Sequence, residues 1–250
     1  MLASKPPQDD VSLGPPTPRR RSSESSTAGS AYDRSGLSDM EKAPMAGKVF
    51  DLFHTSFHLN LILHSDHHGG PAFYIDNSAF TKGKPDVTMH SGSTKDGPIV
   101  GVCKFTTFSS NIKAGLGDPA GNDVIWEAID KESKDHSTYR LEITMTDDTR
   151  RAFIWKRTHD VKEVGGHSWS MYNKKLIDES TGETVALYLE NGFKNWSKKG
   201  KISIGKDHGR QWELTVLLTL VGLIEKDRRR SRARRIFASG GGGGDGGGGG

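Results

Sequence analysis

The chain has 250 residues with 35 Lys and Arg against 31 Asp and Glu, a formal net charge of +4, and one cysteine, Cys103. A single cysteine excludes an intramolecular disulfide and fits a reducing compartment, and the N-terminal residues show no apolar leader, so an intracellular protein is expected. The positive charge is concentrated in one place: Glu225 to Arg235 holds seven basic and two acidic residues, a net of +5, whereas residues 45–224 balance 22 against 22.

Residues 1–44 carry Pro6, Pro7, Pro15, Pro16 and Pro18 and a serine-rich run from Ser22 to Ser30, with few large apolar side chains. Such a composition cannot bury enough surface to offset chain entropy, and a disordered tail is expected. Within it, Thr17-Pro18 and Arg19-Arg20-Arg21-Ser22-Ser23 match kinase-type sites, as disordered tails often do. At the other end, residues 236–250, dominated by glycine from Gly240 on, read as a second disordered tail. The interval 45–235 is long enough for one sizeable core.

Within that interval, short runs rich in β-branched and aromatic residues alternate with turn-forming clusters, which is the pattern of meandering antiparallel strands. The expected strands are 57–64, 72–76, 86–90, 99–105, 124–130, 138–145, 152–157, 168–173, 175–178, 185–189 and 201–204. Between the first two lies Leu63-His64-Ser65-Asp66-His67-His68-Gly69-Gly70. His64, Asp66, His67 and His68 are all acceptable zinc ligands. Adjacent strand residues point to opposite faces, however, and no distant Cys or carboxylate motif completes a tetrahedral set, so an exposed polar turn is expected. Gly92-Ser93-Thr94-Lys95-Asp96-Gly97 begins like a phosphate loop but continues Pro98-Ile99 where Lys and Ser or Thr are required. Cys103 sits in an apolar strand as a packing residue, and no nucleophile elbow exists. No catalytic constellation is found; the chain reads as a non-enzyme without cofactor or metal.

Lys194, Lys198, Lys199 and Lys201 flank Trp196, beside Phe193. Lysines around an interfacial aromatic suit an anionic lipid headgroup; the same lysines also suit a solvated hairpin protecting a sheet edge. Asn195-Trp196-Ser197 matches a glycosylation acceptor, which carries no meaning in an unsecreted chain. From Trp212 to Ile224 apolar residues occupy nearly every side of a helix expected at about 211–232. Thirteen residues at about 1.5 Å each give roughly 20 Å, short of the ~30 Å hydrocarbon core of a bilayer, so the expected helix is enclosed by protein and spans no membrane. Many antiparallel strands followed by one all-round apolar helix call for a closed barrel with the helix inside it. After the apolar run come Arg228, Arg229, Arg230, Arg232, Arg234 and Arg235, a cluster suited to acidic phospholipid, to RNA or to an import receptor. Only Phe237 is at hand for base stacking, which argues against specific nucleic-acid recognition.

The strings "PAFYIDNSAF", "GPIVGVCKF", "GLGDP", "RAFIWKRT", "KLIDESTGETVALY", "KGKISI" and "QWELTVLLTLVGLIEKDRRR", over about residues 50–232, resemble the fungal branch of the tubby C-terminal-like superfamily, which also holds the LURP-one-related proteins and the phospholipid scramblases. The resemblance implies a mainly β fold of the α+β class: a closed, roughly twelve-stranded antiparallel β-barrel around a central hydrophobic C-terminal helix. Some tubby-type domains bind phosphoinositides through basic barrel residues, so the resemblance also implies anionic phospholipid as a partner, although none of those residues maps onto a position here. The expected function is a cytoplasmic or nuclear binding or scaffold module, peripheral at an anionic membrane. The alternative is a protein-interaction adaptor whose basic tail serves nuclear import, and a scramblase-like activity ranks below both.

Overall fold

The computed structural model describes residues 47–240 apart from 57–58, 68, 79–80, 107–108, 122–123, 160–169 and 192–196. Twelve strands follow one another along the chain: β1 (Lys48–His54), β2 (Leu61–Ser65), β3 (Gly70–Asn77), β4 (Val87–Ser91), β5 (Ile99–Phe105), β6 (Ile112–Leu116), β7 (Ile125–Lys131), β8 (Thr138–Thr144), β9 (Arg150–Arg157), β10 (Lys174–Asp178), β11 (Thr184–Glu190) and β12 (Lys198–Ile204). Each pairs antiparallel with its chain neighbours, and β1 closes the barrel against β12, with Phe50 opposite Ile202. Closure leaves no strand edge to protect, so the lysines of β12 have no edge-guarding role.

The lumen is filled by one helix, α1 (Arg210–Gly240). Alternating residues from every strand point at it, among them Leu52, Leu63, Ile75, Met89, Cys103, Ile129, Leu141, Trp155, Leu176 and Ile202, all essentially inaccessible. From the helix side Trp212, Val216, Leu217, Leu218, Leu220, Val221 and Leu223 meet them. A helix apolar all round is stable only if every face is covered, and a closed sheet does so. The fit is tight at one seam. A Cβ on Gly101 would stand 2.8 Å from Leu218 Cδ2, and one on Gly222 would stand 2.9 Å from Cys103 Sγ, so two glycines let α1 lie close to β5. Cys103 is a packing residue, its thiol pushed well up by burial. Hydrogen bonds also cross the interior: Trp155 Nε1 donates to Thr219 Oγ1 at 3.0 Å, Thr219 donates to the Val216 carbonyl, and the Cys103 thiol donates to the Leu218 carbonyl at 3.4 Å. No described helix is long and apolar enough to cross a membrane.

The structure differs from the sequence expectations at four places. β1 and β6 were not expected as strands. β6 reads "IKAGL", poor in β-formers, because Ala114 must leave room inside and Gly115 lies under the Trp126 ring, where a Cβ would come within 2.9 Å of it. The expected strand at 168–173 is absent over its described part: Ser170 Oγ accepts from the Tyr172 backbone N–H at 3.1 Å, a local turn that competes with the ladder. The helix runs to Gly240 rather than ending near 232, so residues 236–239 are helical and not part of a disordered tail. Ala233, Arg234 and Arg235 are good helix formers, and no breaker occurs before Gly240. The N-terminal tail expected at 1–44 and the glycines from 241 on lie outside the described residues.

Candidate functional site

The helix enters the barrel at one mouth and leaves at the other. At entry, Glu213 accepts from Lys48 at 2.6 Å and from Arg210 at 2.5 Å, and Gln211 donates to the Thr144 carbonyl. At exit, the acids of α1 are buried under cations. Glu225 accepts from Arg228 at 2.6 Å and Arg229 at 2.7 Å, and this bond raises the Arg228 guanidinium above its ordinary pKa. Arg229 reaches on to Asp86 at 2.5 Å and to the Ser78 carbonyl at 2.8 Å, stacking 4.8 Å from the Phe105 ring centre. Asp227 accepts from Lys174 of β10 at 2.6 Å and from Arg230 at 3.4 Å. Lys226 donates to the carbonyls of Ser110 at 2.5 Å and Asn111 at 3.2 Å.

The six arginines expected to act as one cationic tail are therefore divided by the fold. Arg228, Arg229 and Arg230 fasten the helix to the barrel rim. Arg232, Arg234 and Arg235 are exposed and make no ion pair among the described residues. They lie on the part of α1 that leaves the barrel; Ser231 to Gly240 extends it by roughly 15 Å at 1.5 Å per residue. Near its tip Ile236 is 60% and Phe237 81% exposed.

The expected lysine cluster is also divided. Lys198 pairs with Asp51 at 2.9 Å and lies 5.9 Å over the Phe53 ring, Lys199 pairs with Glu190 at 3.3 Å, and Lys201 lies 4.0 Å from Asp51. These three lysines are neutralised by acids on the neighbouring strands, which weakens them as a headgroup site. Lys194 and Trp196 lie outside the described residues.

The histidine-rich stretch forms the β2–β3 hairpin, with Asp66 and His67 exposed in the turn, Gly69 at φ +62° and His64 packed 4.8 Å from the Phe53 ring centre; His68 lies outside the described residues. Among the described residues no group of three or more His, Cys, Asp or Glu is placed to hold a metal ion.

Between α1 and the ends of β10, β11 and β12 lies a cleft of about 470 Å³, within the range of small-ligand sites. Its helical wall is a stripe at helical spacing, Ile224, Arg228, Ser231, Arg232 and Arg235; facing it are Tyr172 and Tyr188. Tyr188 is 1% exposed, its hydroxyl has no hydrogen-bond partner among the described residues, and burial pushes its pKa well up. Its ring lies over Gly200 of β12, where a Cβ would stand 2.5 Å from Tyr188 Cε2. Tyr172 shares a 3.1 Å hydrogen bond with Ser231 across the cleft. Of the non-arginine residues of the cleft, Lys199 alone was singled out from the sequence as a candidate site residue. The others come from separated segments, each of which reads as ordinary strand or turn.

One titration follows from this end of the barrel. Burial lowers the Lys226 pKa to about 8, with the positive charge of Arg230 adding to the effect. Because the folded pKa lies below the unfolded value, the cost of holding Lys226 charged is fully present below pH 8. It is relieved as pH rises from about 8 toward 10.5. Relative to Lys226→Met, the native chain should gain about 2–3 kcal/mol between those limits. Urea melts of both proteins at pH 7.5 and 10 test this, and a difference constant with pH contradicts it.

No protein-family model matches the chain, and no curated protein matches it. Among solved structures, the X-ray structure of a protein from Arabidopsis thaliana is similar, with 13% sequence identity, a TM-score of 0.43, and 72% of this chain and 90% of that chain covered. The assignment of a closed barrel rests on the strand pairing itself.

Proposed function

We propose that the protein is a non-enzymatic binding module of the tubby C-terminal-like kind that associates peripherally with anionic phospholipid surfaces, phosphoinositide-containing ones included. The observation that carries this reading is the part of α1 outside the barrel: three exposed arginines with no ion pair among the described residues, followed by exposed Ile236 and Phe237. Arginines near an anionic leaflet contribute on the order of 1 kcal/mol each and lose it with rising salt. An aromatic side chain at the tip adds apolar contact at the acyl boundary. The strand arrangement around a central apolar helix supports the family assignment. The paired β12 lysines have a smaller part in this reading than the helix tip.

Co-sedimentation with vesicles tests it. Binding to phosphatidylcholine vesicles containing phosphatidylserine or a phosphoinositide is expected to exceed binding to pure phosphatidylcholine and to fall with salt. Phe237→Ala should weaken it about tenfold, in line with roughly 1.5 kcal/mol for partial burial of a phenyl ring. Equal binding to neutral and anionic vesicles, or no effect of Phe237→Ala, rules the reading out.

A further inference from the structure

The cleft at the exit mouth shares Arg232 and Arg235 with the membrane reading and adds Tyr188, which membrane association does not use. Every cation around it except two is matched by an acid: Arg228 by Glu225, Lys174 by Asp227, Lys199 by Glu190. Arg232 and Arg235, one turn apart at its rim, have no such counter-ion among the described residues. Tyr188 is among the lining residues, and its hydroxyl is buried and without a hydrogen-bond partner among the described residues. A buried hydroxyl left unbonded is a stability cost, and phenylalanine would fill the same space over Gly200 without it. Tyr188 and the two unmatched arginines line one cavity, whose remaining lining is Ile224, Tyr172, Ser231 and members of the three ion pairs just named.

We infer that this cleft binds a small organic oxyanion, a phosphate monoester or carboxylate on an apolar or aromatic body. The guanidinium groups of Arg232 and Arg235 hold the anion at the rim, since planar donors match such oxygens in pairs. Ile224, Tyr172 and Tyr188 enclose the body, and the Tyr188 hydroxyl supplies a further hydrogen bond. The two binding surfaces of α1 share Arg232 and Arg235 and are separable through Arg234 and Phe237. Arg234 and Phe237 lie three residues apart on a different side of the helix from the stripe running through Arg228, Arg232 and Arg235.

Isothermal titration of the full chain with phenyl phosphate, inorganic phosphate and benzyl alcohol tests the site. Phenyl phosphate should bind at least tenfold more tightly than either half-probe. The double variant Arg232→Ala/Arg235→Ala should weaken it at least tenfold. Tyr188→Phe should weaken it several-fold while leaving the melting temperature unchanged or higher. Phe237→Ala should leave it untouched, so failure of vesicle binding and failure of this site are told apart. Displacement of the probe by phosphatidic acid vesicles marks the natural oxyanion as a lipid headgroup, and retention of the probe marks a soluble ligand; both uphold the cleft. Equal affinity for phenyl phosphate and inorganic phosphate, or equal affinity in native and double-variant proteins, overturns it. So does a lowered melting temperature in Tyr188→Phe.

Discussion

Replacing Leu217 by aspartate should abolish cooperative folding. Leu217 is fully inaccessible in the part of α1 that the barrel encloses. A carboxylate there must either remain charged in an apolar lumen or take up a proton, and either course costs several kcal/mol, comparable to the whole stability of a domain. Leu220→Asp, at an equally buried position on the same helix, should do the same. Loss of the sigmoidal thermal transition in circular dichroism, together with insolubility, is the expected result. Soluble variants that melt cooperatively near the native temperature would show that the helix does not occupy the lumen.

The second large effect concerns the pair Lys174 and Asp227, whose side chains are 6% and 9% exposed and meet at 2.6 Å. Removing one partner from a buried ion pair leaves an uncompensated charge, which typically costs about 3–5 kcal/mol. Lys174→Met should approach the lower end of that range, because Arg230 stays within 3.4 Å of Asp227. The double variant Lys174→Met/Asp227→Leu should recover most of the loss, since an apolar pair of similar volume can replace a buried ion pair with little penalty. Guanidinium unfolding of the two single variants and the double variant gives the coupling energy. Additive losses would show that the two groups act independently.

The fold was largely readable in the sequence because its two periodicities are strong. "FIWKR" alternates, and Phe153 and Trp155 point inward while Lys156 points out, as the pleat requires. The apolar run from Trp212 to Ile224 has no polar side to offer solvent, which demands an enclosure. Where side-chain chemistry was subordinate to clearance, the reading failed: β6 gives up β-forming residues so that Ala114 and Gly115 fit between a helix and an indole. The candidate site was far less legible. The arginine run was visible as charge, but its division was not, because Asp86 stands 143 residues from the Arg229 it binds. Tyr188 and Lys174 look like ordinary strand residues until the barrel closes and brings them beside the departing helix. Locality in sequence carries periodicity well and carries long-range pairing hardly at all.

The order of elements has a consequence for how such a chain comes off the ribosome. All twelve strands precede the helix that fills them, and the first strand pairs with the last across about 150 residues. During synthesis the strands accumulate with their apolar faces unserved, and the final hydrogen-bonded seam and the filling arrive nearly together. At about 5–20 residues per second this leaves the nascent sheet open for roughly 8–30 seconds, a window in which holding chaperones would find their substrate. High sequence separation of the closing contacts places refolding in vitro on the slow side as well. A nascent chain stalled just before Arg210 should remain protease-sensitive throughout, and one stalled far enough beyond Gly240 to free the helix should acquire resistance in a single step.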